Sequence, residues 1–160
     1  MQKNLLLILF LVIIFLSNAQ NTIFKKHNPC SFSVELPSDM KLSKMFSDES
    51  LDFCDFEVKL KDGTVIMELH SLILSRCEFS TIKEFYEAAL NNTELNVTYK
   101  TLSANFFVIS GINKENGKII YWKRVVGDNF LSDLHIEYEE SQKKKIEPYI
   151  GKISKSFNSN

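Results

Sequence analysis

The stretch NFFVISGINKENGKIIYWKRVVG, residues 105–127, holds two runs of β-branched and aromatic residues joined by Asn116-Gly117. Asn-Gly readily adopts the positive φ values of a two-residue type I′ turn, so this stretch predicts an antiparallel β-hairpin. Such a turn places Gly111 opposite Trp122, and we expect the indole to cover the gap at the glycine. Both faces of the hairpin are largely apolar, which predicts a sheet that is covered on both sides.

Further strands are indicated by alternating apolar residues and by turn residues. The pattern predicts strands over 31–36, 97–102 and 129–139. A second hairpin is predicted over 52–75, where Asp62-Gly63 provides the turn.

Two helices complete the prediction, at about 81–91 and 147–157. The first begins with a capping box formed by Thr81 and Glu84, and the second has Pro148 in its first turn. Strands interrupted by one helix and followed by another are typical of an α+β domain, with a predominantly antiparallel sheet between helical layers.

The N-terminus has the features of an export signal. Lys3 precedes the apolar run Leu5–Leu16, and the small residues Ser17 and Ala19 fit the cleavage site of a signal peptidase. The run is shorter than the roughly 20 residues that a membrane-spanning helix needs. We therefore predict a cleaved signal peptide at 1–19 and no membrane span afterwards. A single periplasmic or secreted domain then covers 20–160, with 20–29 as a loose N-terminus.

The charges are balanced, with 19 Lys and Arg against 20 Asp and Glu. Binding to phosphate backbones needs a concentrated positive field, so we predict that the protein does not bind nucleic acid. The cysteines Cys30, Cys54 and Cys77 permit three alternative single disulfides, and the sequence leaves the connectivity open.

Acidic residues and histidines gather on two predicted strands. In the second hairpin Asp55 faces His70 and Glu57 faces Glu68, and the strand at 129–139 repeats the pattern. Carboxylates and imidazoles can bind a divalent cation, but a solvated strand face has the same composition. We favour the solvated face and keep a metal-binding or hydrolytic protein as the alternative. The acidic strand face, as we call it, comprises Asp55, Glu57, Glu68, His70, Asp133, His135 and Glu137.

No catalytic residue is predicted, because none of the three histidines has the sequence context of a base beside a nucleophile. The patterned residues serve the scaffold, which leaves surface loops for recognition. Residues 41–50 include Met45 and Phe46, which we predict to be exposed apolar contacts for a partner. The favoured function is an exported, non-enzymatic interaction module without a cofactor, which binds another protein of the cell envelope.

Five short motifs distributed over the predicted domain resemble a known family. They are Val34-Glu35-Leu36-Pro37, Val97-Thr98-Tyr99-Lys100, Asn105–Gly111, Gly117–Lys123 and Ile153-Ser154-Lys155-Ser156-Phe157. The family is the PsbP-like superfamily, which includes PsbP and the Ran-binding Mog-type proteins, and the resemblance is to its exported bacterial branch of unknown function. It implies an α/β/α sandwich around an antiparallel sheet. It supplies no catalytic residue, since the motifs form turns and packing contacts.

Overall fold

The computed structural model describes residues 22–47, 52–91 and 94–159, so the predicted signal peptide at 1–19 lies outside the described residues. The helices are α1, Ile82–Asn91, and α2, Lys143–Ser156. The strands are β1 Phe24–His27, β2 Phe32–Pro37, β3 Lys41–Ser47, β4 Phe53–Lys59, β5 Val65–Ile73, β6 Leu95–Leu102, β7 Phe106–Asn113, β8 Ile119–Val126, β9 Phe130–Tyr138 and β10 Asn158–Ser159.

Within the described residues, seven strands form one antiparallel sheet in the order β3-β4-β5-β9-β8-β7-β6. A small sheet, β1-β2-β10, lies beside α2. Buried side chains form two clusters, one on each face of the large sheet. One cluster includes Ile146 and Ile153 of α2, and the other includes Phe85 of α1. The predicted α+β fold, with its antiparallel sheet between two helical layers, is confirmed.

The central hairpin is present, but its predicted register is wrong by two residues. Gly111 pairs with Ile120, and Trp122 pairs with Ile109. The cause is a longer loop, in which the side-chain oxygen of Asn113 accepts a 2.8 Å hydrogen bond from the Glu115 N–H. A shift of two leaves every side chain on its predicted face. Gly117 still has a positive φ, of 73°.

In the second hairpin the predicted register is confirmed along most of its length. Asp55 pairs with His70 and Glu57 pairs with Glu68. Near the turn the register shifts at a bulge between Val58 and Lys59, so that Val65 pairs with Lys59. Val65 is exposed, and its neighbour Ile66 is buried.

The N-terminal segment is more ordered than the sequence suggests. Part of the predicted loose segment 20–29 forms β1, which pairs antiparallel with β2. The Phe24 ring contacts the edge of the Tyr149 ring at a centroid distance of 6.2 Å. The Lys152 ammonium lies 3.8 Å from the Phe24 ring centroid. This aromatic anchor explains why the polar segment is held against α2.

The predicted start of the first helix is confirmed, and that of the second is wrong. At α1 the Thr81 N–H donates to Glu84 Oε2 at 3.0 Å, and the Glu84 N–H donates to Thr81 Oγ1 at 3.3 Å. Helix α2 begins at Lys143 rather than at 147, and it follows a 3₁₀ turn in which Glu139 and Gln142 form a capping box. Pro148 therefore lies beyond the first turn.

A disulfide joins Cys30 to Cys54, and Cys77 is a half-buried free thiol. The bond connects the segment before β2 to strand β4. No helix in the described part of the chain combines the length and hydropathy that a membrane crossing requires.

Candidate functional site

The two helices cover different ends of the large sheet, so each face has an uncovered part. Phe85 of α1 packs on Phe107, Ile109 and Leu131, which lie toward the β6 end. Helix α2 lies against β2 and β9 on the opposite face. The face that carries α1 is therefore open over β3, β4, β5 and the part of β9 beyond Leu131. The face that carries α2 is open over β6 and the end of β7 around Ile112.

The open part on the α1 side carries the acidic strand face. Because β5 pairs with β9, the structure brings together the residues predicted from two separate strands. One row across the sheet is Asp55, His70, Asp133 and Arg124, and the next is Glu57, Glu68, His135 and Trp122.

Asp133 is held by three donors from strand β8. Trp122 Nε1 donates to Asp133 Oδ1 at 2.9 Å, and Arg124 donates from Nε and Nη2 at 2.7 and 2.6 Å. The Arg124 guanidinium also lies 5.1 Å from the centroids of Phe85 and Trp122. The Asp133 carboxylate thus neutralises a cation packed on aromatic rings, which is a structural role.

The other carboxylates of the acidic strand face contact lysine or histidine side chains of the protein. His70 contacts Asp55 through Nδ1, and its Nε2 lies 3.5 Å from Glu68. Lys59 pairs with Glu57. Lys118 pairs with Glu137 at 2.6 Å, and this hydrogen bond raises the pKa of Lys118. Among the described residues, no group of three or more His, Cys, Asp or Glu side chains could hold a metal ion.

His135 occupies the middle of this face. It lines a cleft of about 260 Å³ together with Glu68, Glu137 and Lys118. Burial lowers the pKa of His135, and the opposing effect of the Glu137 and Glu68 carboxylates is smaller. The imidazole is therefore neutral at pH 7.

The open part on the α2 side is apolar and aromatic. Tyr99, Ser110 and Tyr121 form one row across β6, β7 and β8, and Ile112, Ile119 and Tyr138 form another across β7, β8 and β9. Tyr99 is 55% exposed and Ile112 is 44% exposed, whereas Tyr138 is buried. We call Tyr99, Ile112, Ile119 and Tyr121 the aromatic patch.

A groove of about 500 Å³ runs between the aromatic patch and α2. Its aliphatic lining includes Ile112 and Ile119 from the sheet and Ile150 from α2. Gly111 also lies along it, where a Cβ atom would come within 2.3 Å of the Asn96 carbonyl oxygen. Only glycine permits this approach, which accompanies the β6 bulge between Val97 and Tyr99.

One end of the groove is polar. The Lys143 ammonium lies 3.3 Å from Glu140 and 3.9 Å from Glu147, and the Tyr138 hydroxyl lies 3.5 Å from Glu147. Burial raises the pKa of Tyr138 to about 12, and the Glu147 carboxylate adds to the effect. The phenol therefore stays protonated and can donate a hydrogen bond.

The predicted partner contacts Met45 and Phe46 lie on β3, at the other end of the sheet. Met45 is 55% exposed, at a shift of register between Lys44 and Phe46. The backbone of Phe46 pairs with Asp55, and its side chain lies outside the described part of the structure.

The aromatic patch could not be identified from the sequence. Tyr99 and Ile112 belong to strands with ordinary alternation, and their exposure depends on where α2 ends over the sheet. The bulge that displaces Thr98 would have indicated this surface, but a bulge cannot be recognised from the sequence of a single strand.

No family model matches the chain, and no curated protein matches it significantly. In structure it is similar to the solution structure of cyanobacterial PsbP (CyanoP) from Synechocystis sp. PCC 6803. The TM-score is 0.49 and the sequence identity 8%, over 89% of this chain and 96% of that chain. At this distance the similarity carries no conclusion about family or function. Membership of the PsbP-like superfamily therefore stays a prediction.

Proposed function

We propose that this protein is an exported, non-catalytic interaction module that binds another protein of the cell envelope through the aromatic patch. The sequence supports export through Lys3, the apolar run Leu5–Leu16 and the small residues that follow it. The observation that carries the binding proposal is the pair of exposed side chains, Tyr99 and Ile112, beside an open groove.

Single exposed apolar residues are common on protein surfaces, and they need no functional explanation. Tyr99 and Ile112 differ because they lie near half-buried apolar side chains. Ile112 pairs with Ile119 and lines the groove with Ile150 of α2, and Tyr99 shares a row with Tyr121 across Ser110. A rigid sheet that carries tyrosines supplies a large contact area at little cost in side-chain entropy.

The alternative, a metal-binding or hydrolytic protein, has less support from the geometry. Asp133 already accepts three hydrogen bonds, and Glu137 is paired with Lys118. A metal ion would have to displace these partners. Met45 and Phe46 remain predicted contacts of a second, untested surface.

The test compares exposed side chains at two places on the same sheet. Tyr99→Thr combined with Ile112→Thr removes the exposed members of the aromatic patch, and Val65→Thr is the control because Val65 is 42% exposed. A partner is first captured from envelope extract and identified, and its purified form is then titrated against each protein. We expect the double variant to bind about 30-fold more weakly, as for a loss at the centre of an interface.

The control should bind as the unaltered protein does. Equal affinity of the double variant and the unaltered protein would refute the proposed surface. Turnover of an envelope substrate by the pure protein would refute the non-catalytic role.

A further inference from the structure

We infer that the groove beside α2 receives an arginine side chain of the bound partner protein, an inference that rests on the proposed function. The groove combines an aliphatic and aromatic lining with a polar end that carries two carboxylates and one ammonium group. An arginine side chain has the same two parts, an apolar stem and a cationic head.

The stem would lie along the apolar lining. Ile119 from β8 and Ile150 from α2 both line the groove, and Tyr121 lies beside them. The Tyr121 hydroxyl is occupied, since it lies 2.6 Å from Ser154 Oγ, which holds the side chain in place. Three methylene groups can therefore pack on the lining without leaving a polar protein group unpaired.

The head would lie at the polar end, between Glu140 and Glu147. These two carboxylates share one cation, Lys143, so the end of the groove has an excess of negative charge. The groove, of about 500 Å³, is large enough to hold an arginine side chain.

Guanidinium fits this end better than ammonium does. Its planar donors can bind two acceptors at once, and it stacks readily on aromatic rings. A side chain with an anionic head group would be repelled by Glu140 and Glu147.

Lys143 acts as an internal competitor in this arrangement. Its ammonium occupies the position between the carboxylates, at 3.3 Å and 3.9 Å, where an incoming guanidinium would bind. Replacing it by a neutral residue should therefore strengthen binding, an effect that a purely structural role of Lys143 does not predict.

The experiment titrates the protein with the peptide Ac-Gly-Arg-Gly-NH₂ and with its citrulline counterpart, which has the same shape without the charge. Binding is followed through the backbone amide NMR signals of Gly111 and Gly151, which line the groove. We expect saturable shifts with the arginine peptide and binding about tenfold weaker with citrulline.

Two variants and one control complete the test. Glu147→Gln should weaken binding of the arginine peptide, Lys143→Gln should strengthen it, and Glu87→Gln should leave it unchanged because Glu87 lies on α1. Equal binding of the two peptides, or weaker binding by Lys143→Gln, would overturn the inference.

The two proposals fail in different ways. If the Tyr99 and Ile112 variant loses the partner while citrulline and arginine bind equally, the inference fails and the proposed function stands. If the peptide test succeeds and the double variant keeps the partner, the groove binds arginine but the proposed interaction surface is wrong.

Discussion

The two uncovered parts of the sheet differ in how many of their side chains already have interaction partners within the protein. On the acidic strand face, carboxylates meet Arg124, Lys118, Lys59 or His70. On the aromatic patch, Tyr99 and Ile112 extend into solvent beside an open groove. The acidic residues and histidines of the first surface are conspicuous in the sequence, but it is the second surface whose exposed side chains are available to bind a partner. Charged residues on a strand are therefore a poor guide to function until their partners are known.

The largest expected effect concerns the acidic strand face. Asp133→Ala leaves the Arg124 guanidinium without its carboxylate among aromatic rings, and it should lower the free energy of unfolding by about 3 kcal/mol or more. Glu137→Ala is the control, because its ion pair with Lys118 is partly exposed to solvent and contributes little to stability. Urea denaturation followed by circular dichroism measures both. Equal losses would contradict the structural role assigned to Asp133.

The next effect concerns the support of the aromatic patch. Gly111→Ala would place a Cβ atom 2.3 Å from the Asn96 carbonyl oxygen, and the backbone of β6 would have to move. We expect a loss of about 1–3 kcal/mol in the same assay. Gly151→Ala is the matched control, since the space around it is open and alanine favours a helix by about 0.5–1 kcal/mol. A neutral Gly111→Ala would show that the bulge does not need the glycine.

A smaller effect is expected from His135 as pH falls. Burial lowers its pKa in the folded state, so the unfolded chain takes up a proton at a higher pH than the folded protein does. The free energy of unfolding should therefore fall as pH drops through the unfolded pKa, near 6.5, and level off below the folded pKa.

The measurement compares unaltered protein with His135→Asn between about pH 8 and pH 5. His70, Glu68, Glu137 and Asp133 surround His135 and are present in both proteins, so their titration largely cancels in the difference. Identical pH profiles would show that the environment does not disfavour the charged imidazole.

The smallest expected effect on the stability of the protein comes from substitutions in the aromatic patch. Tyr99→Thr and Ile112→Thr place a β-branched residue in each strand and remove exposed surface, so each should change the free energy of unfolding by about 0.5 kcal/mol or less. Thermal and urea unfolding would check this. A loss of 2 kcal/mol or more would identify these residues as part of the core.

Local patterns in the sequence predicted the elements well, and distant contacts account for the errors. The capping box at Thr81 and the apolar alternation of β2 depend on neighbouring residues, and both are confirmed. The start of α2 depends on a preceding 3₁₀ turn. The formation of β1, in a segment predicted to be loose, depends on a contact with the distant Tyr149.

The candidate sites show the same limit. The pairing of Asp55 with His70 was predicted from the Asp62-Gly63 turn, and it holds because the bulge near the turn restores the predicted register beyond it. The contact of Asp133 with Arg124 lies between consecutive strands, but the pairing of His70 with Asp133 required the neighbour relation of β5 and β9, which are far apart in the sequence. The groove required the position of α2 over the sheet, which only tertiary packing decides.

Site-specific photo-crosslinking tests the central claim most directly. Benzoylphenylalanine is placed at position 99, at position 45 or at position 68, in the aromatic patch, at the predicted β3 contact and on the acidic strand face respectively. Tyr99 and Met45 are equally exposed, at 55%, so accessibility does not favour either. The account predicts a crosslink to the partner from position 99 and none from position 68, and an additional crosslink from position 45 would identify β3 as a second contact surface. A crosslink from position 45 or 68, with none from position 99, would contradict it.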